Sequence, residues 1–170
     1  MVSAVVAGTA PGVERVWSVL RGVPDPEIPT IGIVDLGIVR HVQARGGAIE
    51  IGLTPTYSGC PATDVIRQLV QEALAAQGIV ASIRTVVSPP WTTDWITDTG
   101  RRKLAKSGIV PPRRLLGAIR GATDLNDEAI ACPHCQSLHT ERLSEFGSTP
   151  CKSLYRCAGC LEPFERFKCL

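Results

Sequence analysis

The stretch CPHCQSLHTERLSEFGSTPCKSLYRCAGC, residues 132–160, decides the C-terminal part of the fold. It holds two Cys-x-x-Cys pairs, Cys132/Cys135 and Cys157/Cys160, with 21 residues between them. Zn²⁺ takes four ligands in a tetrahedron, and thiolates match its softness. One Cys-x-x-Cys hairpin presents two sulfurs to one side of an ion, and a second hairpin closes the shell. The spacing therefore predicts a zinc-ribbon-like module over residues 132–170, with a structural zinc on Cys132, Cys135, Cys157 and Cys160. A rubredoxin-like iron site or a labile iron–sulfur cluster would use the same four ligands. The 39 residues from Cys132 to Leu170 are too few for a self-sufficient core, so the ion should contribute folding free energy. Leu143, Phe146, Leu154, Tyr155, Phe164 and Phe167 are expected to form a miniature core rather than a platform for stacking bases. Cys151 and Cys169 are surplus, and either could replace an assigned ligand. His134 and His139 are the other possible replacements, but His134 should point out of its Cys-x-x-Cys turn.

Upstream, 170 residues allow one domain plus a small appended module. The apolar fraction of 44% supports a real core, and no run of 18 apolar residues suggests a membrane span. Residues 1–11 read as a flexible start, without the basic and apolar regions of a signal peptide. Seven cysteines, six of them beyond residue 131, fit a metal site in a reducing cytoplasm better than a disulfide framework. Four thiolates around one Zn²⁺ would bring the formal net charge of +2 to about zero. Residues 101–120 carry seven Lys or Arg and no acid, a patch that could face an acidic partner, a phosphate or simply water.

The hydrophobic pattern predicts helix, strand, strand, helix, strand, helix. A first helix runs over 11–21, with Val13, Val16, Trp17 and Leu20 on one stripe. GVPDPEIPT follows as a stiff prolyl loop. Strands are expected at Ile33–Gln43 and Ala48–Leu53 around a Gly46-Gly47 turn. A strong helix begins after Pro61 and ends at Gly78, a third strand covers Ser82–Val87, and a last helix runs from about Asp94 to Lys106. The fold class is α+β: a small two-layer α/β domain with a mixed sheet over 12–115, a linker over 116–131, a short extended piece LLGAIRGATD in the connecting stretch 113–131, and the Cys-rich module.

Cys60 sits in SGCP, immediately before the strongest helix. Free N–H groups and the helix dipole favour a thiolate there, able to hold metal or attack an electrophile. Asp64 in the first turn opposes that thiolate. The plain alternative is a half-buried cysteine at a helix start. Thr54, Thr56, Tyr57 and Ser58 supply nearby hydroxyls. Asp25 and Glu27 lie in the prolyl loop and would share a pocket with Cys60 if that loop folds over the helix end. Asp35, inside an apolar strand, would need a hydrogen bond or a cleft. His41 is expected to be structural. There is no Ser–His–Asp set, P-loop or dinucleotide fingerprint.

DPEIP, the following VDLG, and TPTYSGCP resemble the SufT-like iron–sulfur assembly family over about residues 12–115. CPHCQS and EFGSTPCKSLYRCAGCLEPFERFKC are similar to the narrower PaaD family, whose members belong to multicomponent phenylacetyl-CoA epoxidases. The resemblance implies a bacterial cytoplasmic protein of aerobic phenylacetate catabolism. Its partners would be the oxygenase and reductase subunits, the latter carrying flavin and a [2Fe–2S] cluster. It also implies an accessory maturation role without catalysis. The functional thiol of the assembly family carries onto Cys60, its acidic signatures onto Asp25, Pro26, Glu27 and Asp35, and the ribbon onto Cys132, Cys135, Cys157 and Cys160, with Cys151 inside the same motif.

These readings converge on a non-catalytic maturation factor that holds iron or an iron–sulfur cluster briefly at Cys60 and hands it to an epoxidase component. The rival is a purely structural or docking component of the complex with only a structural zinc. A nucleic-acid-binding role lacks interleaved aromatics, and a thiol enzyme lacks a histidine base beside Cys60. A homodimer is the default assembly for a small protein of this kind.

Overall fold

The computed structural model describes residues 11–114 and 130–169. The residues ahead of Pro11 and the extended piece expected at 115–124 lie outside the described residues. No described helix is long and apolar enough to cross a membrane.

Helix α1 (Pro11–Arg21) forms where the stripe predicts it, with Glu14 in its first turn and Arg21 in its last, both favourable to the dipole. Val16 and Leu20 are fully buried, each contributing about 1.5–3 kcal/mol of apolar transfer. The prolyl loop is closed by its own aspartate: Asp25 Oδ1 accepts the N–H groups of Glu27 (2.9 Å) and Ile28 (2.8 Å). Strands β1 (Val39–Arg45) and β2 (Ala48–Leu53) pair antiparallel, and β3 (Ala81–Thr85) joins β2 in parallel. The mixed sheet has the order β1-β2-β3. Gly46 and Gly47 turn the hairpin at φ +56° and +83°, values that L side chains avoid. Helix α2 (Ala62–Ala75) buries Ala62, Ile66, Val70 and Leu74, one residue per turn, and packs with α1 on a shared core.

Two expectations are corrected here. The first strand starts at Val39, because Gly32–Ile38 is coiled by local bonds: Leu36 N–H to Gly32 O, Gly37 N–H to Val34 O and Ile38 N–H to Ile33 O. Ile33 and Leu36 are buried from a turn, so an apolar run imitates a strand. Gly37 has φ +73°, and a Cβ there would lie 2.7 Å from Trp95 Cβ. The last helix is split into a 3₁₀ turn (Thr93–Trp95) and α3 (Asp98–Lys106). Thr97 interrupts it by N-capping α3, its Oγ1 accepting from Gly100 N–H at 3.0 Å.

The second sheet has the order β4-β7-β6-β5. Strands β5 (Thr140–Ser144), β6 (Lys152–Cys157) and β7 (Pro163–Phe167) are antiparallel neighbours. Strand β4 (Ile109–Val110) follows α3 and runs parallel to β7. One sheet thus bridges the segment expected to end the first domain and the Cys-rich module. The side chains continue this bridge. Phe167 is 1% exposed in the N-terminal core, its ring 6.1 Å from that of Trp91. The module's own core is small: Ile130, Cys132, Tyr155, Cys157 and Phe164, with Tyr155 stacked on Phe164. Leu143 and Phe146, expected inside, are 50% and 62% exposed. A register shift between Arg142 and Ser144 leaves Leu143 outside the alternation. Phe146 lies instead under the Lys168 ammonium, 4.5 Å from the ring centroid.

Candidate functional site

The four ribbon thiols converge. Cys132 Sγ lies 3.7 Å from Cys160 Sγ, Cys135 Sγ lies 3.5 Å from Cys157 Sγ, and all four are within 4.8 Å of one another. Zn–S bonds of about 2.3 Å in a tetrahedron set sulfur separations near about 3.8 Å, so the cluster fits the ion. The two knuckles repeat one backbone design. Gln136 and Leu161 N–H groups bond to the carbonyls of Cys132 and Cys157, and those cysteines' own N–H groups bond to Ser137 O and Glu162 O. Cys157 Sγ accepts the N–H groups of Gly159 (3.3 Å) and Cys160 (3.5 Å). The Cys160 bond first, with the Gly159 bond adding to it, holds the Cys157 thiol down at about 6.

The knuckle turn forces Gln136 and Leu161 to φ +62° and +66°. A left-handed residue costs about 1–2 kcal/mol, and glycine's extra unfolded entropy offsets about 0.5–1 kcal/mol of any relief. Leu161 is 68% exposed and has little packing to lose. Leu161→Gly is therefore expected to raise the stability of the zinc-loaded protein by up to about 1 kcal/mol in denaturant unfolding. A less stable glycine variant would contradict this account of the turn.

Cys60 lies apart from this quartet. It is half-buried and directly precedes Pro61, the N-cap of α2. Its carbonyl accepts from Thr63 Oγ1 at 2.9 Å, and Thr56 Oγ1 approaches its Sγ at 3.9 Å. A narrow cleft opens here. Asp25 and Glu27 line it from the prolyl loop, Thr54 from the end of β2, and Cys60 from the start of α2. Cys151 and Phe167 line it from the C-terminal module.

The cleft disfavours bare negative charge. Burial raises the Asp25 carboxyl above its usual range, against the N–H bonds from Ile28 and Glu27 and the nearby Lys152. Glu27 is raised by burial and then by the charge of Asp25. Tyr57 is pushed up to about 12 by burial, then by the negative charges of Cys60, Glu27 and Cys151.

The prolyl-loop carboxylates and Cys60 are brought together, but Asp35 is not with them. Its carboxylate binds Lys103 Nζ (2.7 Å) and Thr97 Oγ1 (3.0 Å), and its carbonyl accepts from Thr97 N–H (2.9 Å). It anchors the start of α3 and lies outside both the strand and the cleft lining. The surplus thiols are also relocated. Neither Cys151 nor Cys169 belongs to the quartet. Cys151 is buried, with its Sγ 3.0 Å from Thr149 Oγ1, and burial pushes its thiol up. Cys169 lies near Arg101. His134 and His139 are exposed and outside the quartet. His41 covers Gly52 on the sheet, 3.6 Å from Glu50. Within the basic run, Arg101 donates to Thr93 O and Pro112 O, Lys103 binds Asp35 and Arg114 binds Asp98. These cations hold the fold together, which weakens the case for a nucleic-acid surface. Sequence reasoning misses Cys151 and Phe167 as cleft residues. Its one signal is that Cys151 has no Cys-x-x-Cys partner.

Comparison with known proteins agrees with this two-part architecture. Residues 13–86 match the family described as iron–sulfur cluster assembly protein, and residues 119–168 match the PaaD zinc beta ribbon domain. The Fe–S protein maturation auxiliary factor YitW of Bacillus subtilis (strain 168) is 37% identical over 48% of this chain and 81% of its own. The crystal structure of a DUF59 domain from Bacillus anthracis superposes with a TM-score of 0.51 at 27% identity, covering 55% of this chain and 91% of that one. A protein of Escherichia coli (strain K12), named as a component of 1,2-phenylacetyl-CoA epoxidase, is 45% identical over 94% of both chains. An assembly-type α/β domain joined to a four-cysteine ribbon, matched along nearly its whole length, places this chain in the PaaD family of phenylacetyl-CoA epoxidase components.

Proposed function

We propose that the protein is a non-catalytic maturation factor of a cytoplasmic multicomponent phenylacetyl-CoA epoxidase. It assists loading of iron or an iron–sulfur cluster into the oxygenase or reductase subunit, through a transient thiolate site at Cys60. Cys132, Cys135, Cys157 and Cys160 hold a structural zinc. The ribbon orients the client, and Asp25 and Glu27 supply the acidic side of the delivery cleft.

One observation carries this reading: the thiols are divided between two environments. The quartet offers four converging sulfurs, a closed cage suited to permanent binding. Cys60 is half-buried in a cleft, separate from that cage. Cargo that must leave requires an incomplete shell, and the cleft provides one. No histidine lines the cleft among the described residues, which disfavours a thiol nucleophile activated by an imidazole base.

The test is client loading. Apo oxygenase and apo reductase subunits are matured with wild-type protein and with Cys60→Ser, and metal per client is measured. The variant is expected to load no better than a reaction lacking the protein. Equal loading by both proteins would sink the delivery role and leave a docking component.

A further inference from the structure

We propose that Cys151, carried by the ribbon, is the second thiol of the Cys60 site, so that cargo iron is gripped between the two modules. The inference rests on Cys60 being the delivery thiol and adds a residue that the assembly-type domain alone does not contain.

Several observations converge on it. Cys151 has no place in the quartet, and it packs into the N-terminal core rather than into the ribbon's own. It lines the same cleft as Cys60. Tyr57 lies close enough to both thiols, and to Glu27, to feel the charge of each. The position of Cys151 is set by rigid structure. Its carbonyl accepts from Lys168 N–H at 2.9 Å, the paired strands β6 and β7 follow it, and Phe167 is seated against Trp91. The nearby cation Lys152 is occupied by Glu165 at 2.7 Å and Ser148 at 2.6 Å. Asp25 and Glu27 line the same cleft as the two thiols, the acidic surroundings that a cation site needs.

The chemistry needs no redox partner. A divalent ion displaces one proton from each thiol to solvent and forms two metal–sulfur bonds, with no change of oxidation state. A metal-bound thiol is deprotonated outright, even where burial resists the free thiolate. Among the described residues only the quartet brings three or more ligand atoms within 4.8 Å of one another. The cleft therefore presents an open shell, whose remaining positions are free for solvent or for ligands of the receiving protein.

The test uses the zinc-loaded full chain and Co²⁺ alone as the probe, titrated without oxygen. In wild type, a thiolate-to-cobalt charge-transfer band should appear while zinc content stays unchanged. Cys151→Ser and Cys60→Ser should each leave roughly half of the intensity and weaken binding at least about tenfold. The double variant should show only the ribbon's background. If Cys151→Ser matches wild type while Cys60→Ser loses the band, the proposal is overturned and the Cys60 reading stands. If wild type matches the double variant, both fall. A second measurement avoids mutation: with alkylation prolonged until both thiols of the cobalt-free wild-type chain are modified, Co²⁺ should slow the modification of both Cys60 and Cys151 in peptide mapping. Protection of Cys60 alone would overturn the proposal.

Discussion

Replacing Cys157 with serine is expected to strip zinc from the ribbon and cost more than about 4 kcal/mol, the range of mutations that remove a metal. Cys157 is the member of the quartet on which the second knuckle is built. It is fully buried, and its sulfur accepts two backbone N–H groups. Among the described residues, the module's own buried core contains only three besides the quartet's cysteines: Ile130, Tyr155 and Phe164. Such a core cannot offset the entropy of ordering three strands, so the ion must organise them. Loss should be uneven. Strands β5 and β6 should exchange their amides fast, whereas β7 keeps its pairing with β4 and its Phe167 anchor. Chelation of wild type should reproduce the pattern. Elemental analysis and amide exchange provide the check. Native exchange in a zinc-free sample would show that packing alone holds the ribbon.

What can be read from sequence is local. The knuckles are legible because a metal imposes fixed spacing on its ligands, and α1 and α2 because one apolar residue per turn marks a buried face. Cys60 is legible as a helix-start thiol for the same reason, since the proline and the periodic run lie beside it. Most of the misreadings involve long-range packing. IVDLG imitates a strand by composition, but Gly37 takes a left-handed conformation to let Trp95 close on it, and that contact crosses 58 positions. Strand β4 is two residues long, too short to show any alternation, and exists because β7 offers it an edge. Hydrophobicity alone points Leu143 and Phe146 inward, and a bulge cannot be read from such a pattern. Cys151 counts as surplus because ligand arithmetic sees neighbours along the chain, whereas its cleft companion lies 91 positions away.

Phe167→Ala should cost about 3–5 kcal/mol, the usual loss for truncating a buried aromatic, and should do so without releasing zinc. Phe167 is a ribbon residue by sequence and a core residue of the assembly-type domain by packing, 1% exposed and set against Trp91. It also forms a wall of the cleft. Removing it leaves a void where the two modules meet, two residues from the end of the ribbon's last described segment. Phe164→Ala supplies the matched control. It truncates the same side chain three positions earlier, but inside the ribbon's own core, stacked on Tyr155. Both variants should lower the denaturation midpoint. Only Phe167→Ala should speed alkylation of Cys151 while the zinc stoichiometry stays at the wild-type level, because Phe167 shares the cleft lining and the core cluster of Cys151 and Phe164 shares neither. If both variants expose Cys151 equally, the cleft is held by the ribbon's fold as a whole. If neither does, Cys151 is secured by β6 and by its contact with Thr149. The rate of Cys151 modification thus reports on the coupling between modules, separately from metal retention and from global stability.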